Sequence, residues 1–231
     1  MRYTILFFLV VLPAVTIVVS CKNTDKQKEV NPDSIYFDYR VTGDEDAGYI
    51  TVRLQYKPVN AGGTGLVLPP AAKVELDGTI IRADSSKMNG AYYELTKPVK
   101  EFAGHHVINY TDAKGKQYSE EFNFEPITMK TNLAAIVNRE DLPVDLEGVD
   151  SLDYIKVMLT DTSRFGEGVD RTDTVRNGHI IISKASLAKL ANGHIVFELT
   201  KEREKRVKEG TRAGGKLLIS YEIRREFELK D

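Results

Sequence analysis

In 231 residues the chain has one cysteine and no tryptophan. A single cysteine excludes an intramolecular disulfide, and a free thiol is a liability in an oxidising compartment unless it has another use. Without tryptophan, any stacking platform for a sugar ring falls to tyrosine. Past residue 19 no apolar run approaches the roughly 20 residues that cross a bilayer. Charge of neither sign dominates: 32 Lys and Arg against 34 Asp and Glu leave a formal charge of -2. Phosphate recognition depends on clustered cations, so nucleic acid is not an expected partner. A G-x-S-x-G elbow, an H-E-x-x-H helix and a Walker loop are all missing, and nothing in the pattern implies a cofactor.

The first 21 residues carry the most specific signal. Met1-Arg2 is a short positive start, and Ile5 to Val19 is apolar apart from Thr16 and Pro13. Val18-Val19-Ser20-Cys21 then gives way to the polar run Lys22-Asn-Thr-Asp-Lys-Gln-Lys-Glu29. A charged start, a short apolar core and a small residue before the cut describe a secretory signal.

Val18-Val19-Ser20-Cys21 resembles the lipobox of bacterial lipoproteins, with Val18 where leucine is commonest. The resemblance covers these 21 residues only. It implies cleavage between Ser20 and Cys21, diacylglycerol on the Cys21 thiol and an acylated amino group, hence a membrane partner through the lipid anchor. Lys22, in place of the aspartate that favours inner-membrane retention, implies the outer membrane of the cell envelope. Removing 1–20 takes away only Arg2, so the processed chain stays near neutral.

Residues 21–33 lack aromatics and read as a lipid-anchored flexible tether. From Ser34 a two-residue period begins: Ile35, Phe37, Tyr39 and Val41, then Ile50, Val52, Leu54 and Tyr56, alternate with polar residues across the turn at 43–48. Successive strand side chains point to opposite faces, so this predicts a half-buried antiparallel hairpin. Further strands are predicted at 73–76, 79–83, 91–95, 105–111 and 117–124. Val74-Glu-Leu-Asp-Gly78 and Tyr110 to Tyr118 look like the strands and final hairpin of bacterial Ig-like domains.

The Glu125-Pro126 break suggests two tandem immunoglobulin-like β-sandwiches, 34–126 and 127–231, in a mainly all-β chain. The second is predicted to hold strands at 152–160, 178–182 and 194–199, one short helix capped by Ser183 and ended by Gly193, and the regular run Leu217 to Leu229. The charged run 201–212 reads as a solvated hairpin tip.

Candidate site residues are few. Of the four histidines, His105, His106, His179 and His194, the first two are neighbours in a strand and point to opposite faces, and His194 lies on the outer face of its strand, so a zinc site built on them is not expected. Two acidic segments, 140–150 and 161–173, offer oxygen ligands without the EF-hand spacing and read as connections that leave calcium open. Ser186-Leu-Ala-Lys189 matches S-x-x-K without its companion motifs, so Lys189 reads as the polar face of the helix. Tyr49, Tyr92 and Tyr93 are the candidate ligand contacts for a glycan, against the alternative of rim packing. The sequence therefore points to a non-catalytic lipoprotein acting as an interaction or structural module at the outer membrane, with envelope proteins or glycans as candidate partners, a glycan-binding accessory protein as the alternative and a hydrolase with an unrecognised site behind both.

Overall fold

In the computed structural model, residues 31–162 and 168–231 are described; the signal peptide, the lipobox with Cys21, and Glu167 of the second acidic segment lie outside them. The first half supplies β1 (Ile35–Asp44), β2 (Tyr49–Pro58), β3 (Lys73–Leu76), β4 (Thr79–Ile80), β5 (Ala83–Ser86), β6 (Gly90–Pro98), β7 (Gly104–Thr111) and β8 (Gln117–Phe124), with one helical turn, α1 (Val99–Phe102). The second half supplies β9 (Thr128–Met129), β10 (Ile136–Asn138), β11 (Leu142–Glu147), β12 (Tyr154–Asp161), β13 (Val169–Thr174), β14 (His179–Ile182), β15 (Gly193–Arg206) and β16 (Gly215–Lys230). A second short helix, α2 (Lys184–Leu187), is capped by the Ser183 hydroxyl, which accepts from the Ser186 N–H. Helical structure is thus present in both halves, and α2 ends six residues before Gly193.

Alternation builds the faces. In β1, β2 and β16 most residues at every second position, among them Phe37, Tyr39, Leu54, Tyr56, Leu217 and Tyr221, are buried. Against this face packs the sheet β4-β3-β7-β8. The Phe37 ring meets Tyr110 and Tyr118 of the opposing sheet edge-on, at 5.5 and 5.4 Å between centroids. The second sandwich sets the sheet β14-β11-β9 over β12, β15 and β16, with Val144, Ile182, Val157 and Phe197 between them.

The two sandwiches share strands. One sheet runs β13-β12-β15-β16-β1-β2-β6-β5, straight across the 126 boundary. The start of β16 pairs in parallel with β1, from Phe37↔Gly215 to Asp44↔Glu222, and its end pairs with β10 over Ile136↔Glu228 to Asn138↔Lys230. On its other side β16 pairs with β15 from Gly193↔Leu229 to Arg206↔Lys216. At about 3.3 Å per residue, this ribbon is about 50 Å long and belongs to both cores. The expected units at 34–126 and 127–231 therefore meet through a continuous sheet, and the buried residues form one contiguous cluster within 35–229.

The ribbon also corrects the reading of 201–212. It is strand through Arg206, and its turn is held down: the Glu120 carboxylate, 2% exposed, accepts the Lys208 N–H at 2.6 Å and lies 2.6 Å from the Lys205 ammonium. Thr211 donates to the Ile35 carbonyl and the Arg212 N–H to that of Asp33, so the last tether residues dock on the turn. Likewise 140–150 is mainly strand β11 rather than a connection.

Candidate functional site

The outer face of the shared sheet carries two of the three candidate tyrosines. On β1 and β2 the outward side chains include Asp38, Arg40, Arg53, Gln55 and Lys57. Asp38 is buried beneath them, 2.6 Å from the Lys57 ammonium and 3.3 Å from the Arg40 guanidinium. Burial works to raise its carboxyl, but the hydrogen bonds from Lys57 and Arg40 outweigh that and hold it below the usual carboxylate range.

Tyr92 lies under the Arg53 guanidinium, 4.7 Å from its ring centroid, and Arg53 is paired with Glu94 at 2.5 Å. The Tyr92 phenol donates to Asp84 at 3.1 Å, which pushes its pKa up. Its ring face is occupied. Tyr93 points the other way, into the core, where its oxygen accepts from the Leu68 N–H. Burial raises its phenol, and its place among the candidate contacts is corrected to core packing. Tyr49 is 54% exposed. It is level with Pro98 of β6, six residues from Tyr92, or about 20 Å along the strand. The three tyrosines make no common platform. Tyr49 alone borders an open groove, lined also by Thr42, Asp44, Thr51, Ser220 and Glu222.

The other polar candidates are bound up structurally. His106 is buried with both ring nitrogens engaged, at 2.7 Å to the Asp77 carboxylate and 2.7 Å to the Phe102 carbonyl, while its ring stacks on Phe102. His105 faces outward near Glu121. His179 is paired with Asp145 at 2.6 Å, and His194 lies near Glu226. Ser186 is buried and its hydroxyl accepts from Arg171 at 2.8 Å, whereas Lys189 is exposed. A nucleophile needs a base within reach, and Ser186 has a guanidinium instead. The acidic side chains are tied down singly: Glu147 to Lys130, Asp170 to Lys156, Asp173 to Arg171, and Asp141 to the Lys184 N–H. Among the described residues no three His, Cys, Asp or Glu side chains converge.

Where the sandwiches meet, a cleft of about 200 Å³ is lined by Asn123, Glu125, Asp150, Lys201, Arg203 and Tyr221. Arg203 reaches Asp150 and Asp153 at 3.0 Å each, and Lys201 donates to the Gly148 carbonyl at 2.6 Å. The Asp153 carboxyl, though partly desolvated, is held low by the Asp150 N–H and by Arg203. Gly148 has φ +73°, and a Cβ there would fall 2.1 Å from the Pro126 carbonyl oxygen. Only glycine lets the two halves approach this closely. These charges tie β15 to the β11–β12 connection, beside the junction.

Sequence reasoning missed one arrangement, a concentration of unpaired cations at the end where the tether enters. The available signal was the basic excess of 201–212, which the strand and its turn distribute over that end. No protein family matches the chain, and no curated protein matches it in sequence. Solved structures similar to it include DIP-gamma IG1+IG2, at 8% identity over 81% of this chain and 94% of that one, with a TM-score of 0.23. A 1.5-MDa bacterial ice-binding adhesin is similar at 15% identity over 87% and 66%, TM-score 0.25. SGBP-B of the Bacteroides ovatus mixed-linkage glucan utilization locus, in complex with a mixed-linkage heptasaccharide, is similar at 13% identity over 79% and 53%, TM-score 0.19. Scores of this size carry no argument, and the sandwich architecture rests on the strand pairing described above.

Proposed function

We propose that the protein is a lipid-anchored, non-catalytic module of the bacterial cell envelope, held at the outer membrane through Cys21 and presenting a stiff double sandwich to envelope partners. The observation that carries this reading is the joining of a lipobox and polar tether to a body whose polar side chains serve the fold. Ser186 sits under Arg171, His106 is clamped between Asp77 and Phe102, and Asp145 is held by His179. The shared ribbon suits a spacer or scaffold, because it fixes the distance between the tether and the far sandwich. In cells fed labelled palmitate, the wild-type chain should take up label and migrate as the processed form. Cys21→Ala should take up none and accumulate as precursor; equal labelling of the two would overturn the anchor.

A second reading, glycan binding, is favoured by Tyr49, the exposed aromatic beside the polar groove of Thr42, Asp44 and Glu222. Calorimetry with envelope oligosaccharides tests it, since binding that Tyr49→Ala abolishes would promote this reading above the first.

A further inference from the structure

The first residues of β1 lie among four turns. Val59 N–H donates to the Ser34 carbonyl, which places the β2–β3 loop beside the tether. Gly65 bridges Gly90, and Gln55 donates to the Asn89 carbonyl, bringing the β5–β6 turn alongside. Phe37 touches Tyr110 and Tyr118 on either side of the β7–β8 turn, and pairs with Gly215 just beyond the β15–β16 turn. All four turns therefore ring the point where the tether enters. From the β15 edge to the β5 edge this end is about 24 Å wide, five strand spacings.

Six exposed cations stand on this ring: Lys87, Lys114, Lys116, Arg206, Lys208 and Arg212. None makes an ion pair among the described residues, although the Lys116 ammonium lies 4.7 Å over the Tyr118 ring. Carboxylates at the same end are fewer and mostly occupied. Asp112 is buried and accepts from the Lys114 and Lys116 N–H groups, Glu209 accepts from Ser119, and Asp33 is exposed. Between Arg206 and Arg212 a basin of about 570 Å³ opens, with Tyr36, Gly214 and the Glu204–Lys216 pair on its walls. Met88, 90% exposed, and Val59, 65% exposed, project from the same ring. In a chain with a net charge of -2, this end thus carries six exposed cations without ion pairs and two apolar tips among them.

We propose that this tether end is a membrane-docking face, which lies against a bilayer bearing anionic phospholipid headgroups. Three features select that occupant: the sign of the charge, the breadth of the ring against the single-ligand size of any one basin, and the twelve-residue tether 22–33 that leads from Cys21 to this end. Cations near such a surface each add about 1 kcal/mol, about a fivefold gain in partitioning. Exposed Met88 and Val59 would enter the headgroup layer beside them. Docked this way, the body stands upright with the second sandwich farthest from the bilayer. The orientation rests on the Cys21 anchor; the affinity for the surface does not.

The assay is co-sedimentation of the unacylated chain 22–231, which contains every described strand and the whole buried cluster, with vesicles of phosphatidylcholine alone or with phosphatidylglycerol. Wild type should bind the anionic vesicles, release as salt rises, and ignore the neutral ones. Replacing Lys114, Lys116, Lys208 and Arg212 by Gln should lower partitioning by several hundredfold, about fivefold for each cation. The same change at Arg176, Lys184, Lys189 and Lys230, on the far sandwich, should leave it unaltered. Equal loss in both variants, binding to neutral vesicles, or no binding at low salt would each overturn the proposal. So would full release by inorganic phosphate at matched ionic strength, which would mark a single-anion basin. Because no acyl chain is present, failure here leaves the anchor reading intact, and failure of palmitate labelling leaves this face standing.

Discussion

Phe37→Ala tests whether the shared ribbon makes the two sandwiches one folding unit. The ring is fully buried and contacts Tyr39, Tyr56, Tyr110 and Tyr118, all within 5.6 Å between centroids. Truncating a core phenylalanine costs about 3–5 kcal/mol, and four lost ring pairs place this site toward the upper end. Against a typical stability of about 5–15 kcal/mol, that is a third or more of the total. Loss of β1 order would strip β16 of its parallel partner over 215–222 and loosen the strand that also bounds the second core. Hydrogen exchange across a urea titration reports each half separately, through peptides covering β7 and β8 in the first and β11 and β14 in the second. Both sets should open at one midpoint in wild type, and both midpoints should fall together in Phe37→Ala. If β11 and β14 kept their wild-type midpoint while β7 and β8 opened early, the sandwiches would be independent and the argument from the ribbon would fail.

Lys205→Met should cost about 3–5 kcal/mol by leaving the Glu120 carboxylate buried without its counter-ion, and adding Glu120→Leu should recover most of it; urea midpoints of the single and double variants decide this. Asp38 makes a pH-dependent contribution. Its folded pKa is lowered, so its stabilisation is complete above the ordinary carboxylate pKa of about 4 and disappears as pH falls through the lower folded value. Asp38→Asn should therefore be less stable than wild type at pH 7, with the gap closing on acidification; a gap that widened toward pH 3 would reverse the assigned sign.

Local periodicity made much of the strand content legible. β1, β2, β3, β7, β8 and the odd positions of β16 follow directly from alternation, and Ser183 marked its helix start. What escaped was set by partners distant in sequence. The charged stretch after Leu199 carries no hydrophobic alternation, yet it continues β15 because Lys201 and Lys205 point inward to Asp153 and Glu120. The pairing of β1 with β16 joins residues about 180 positions apart and leaves no trace in either strand. Tyr92 and Tyr93 look alike in sequence, and only the register against Leu54 assigns one to the outer face and the other to the core. The cations at the tether end were invisible for the same reason, since Lys87, Lys114 and Arg212 come to one end only when four turns meet.

Parallel pairing also decides how the molecule bears tension. β1 starts at the tether end and β16 finishes in the far sandwich, and the two run in the same direction. A pull on the tether, resisted by anything gripping the far sandwich, slides the two strands lengthwise in opposite senses. Every bond from Phe37↔Gly215 to Asp44↔Glu222 is then strained at once, where a strand peeled from its end would surrender them singly. The Arg225–Glu45 ion pair sits just beyond the end of that clamp, across the seam between the halves. The body is braced along the same line that the anchor would load.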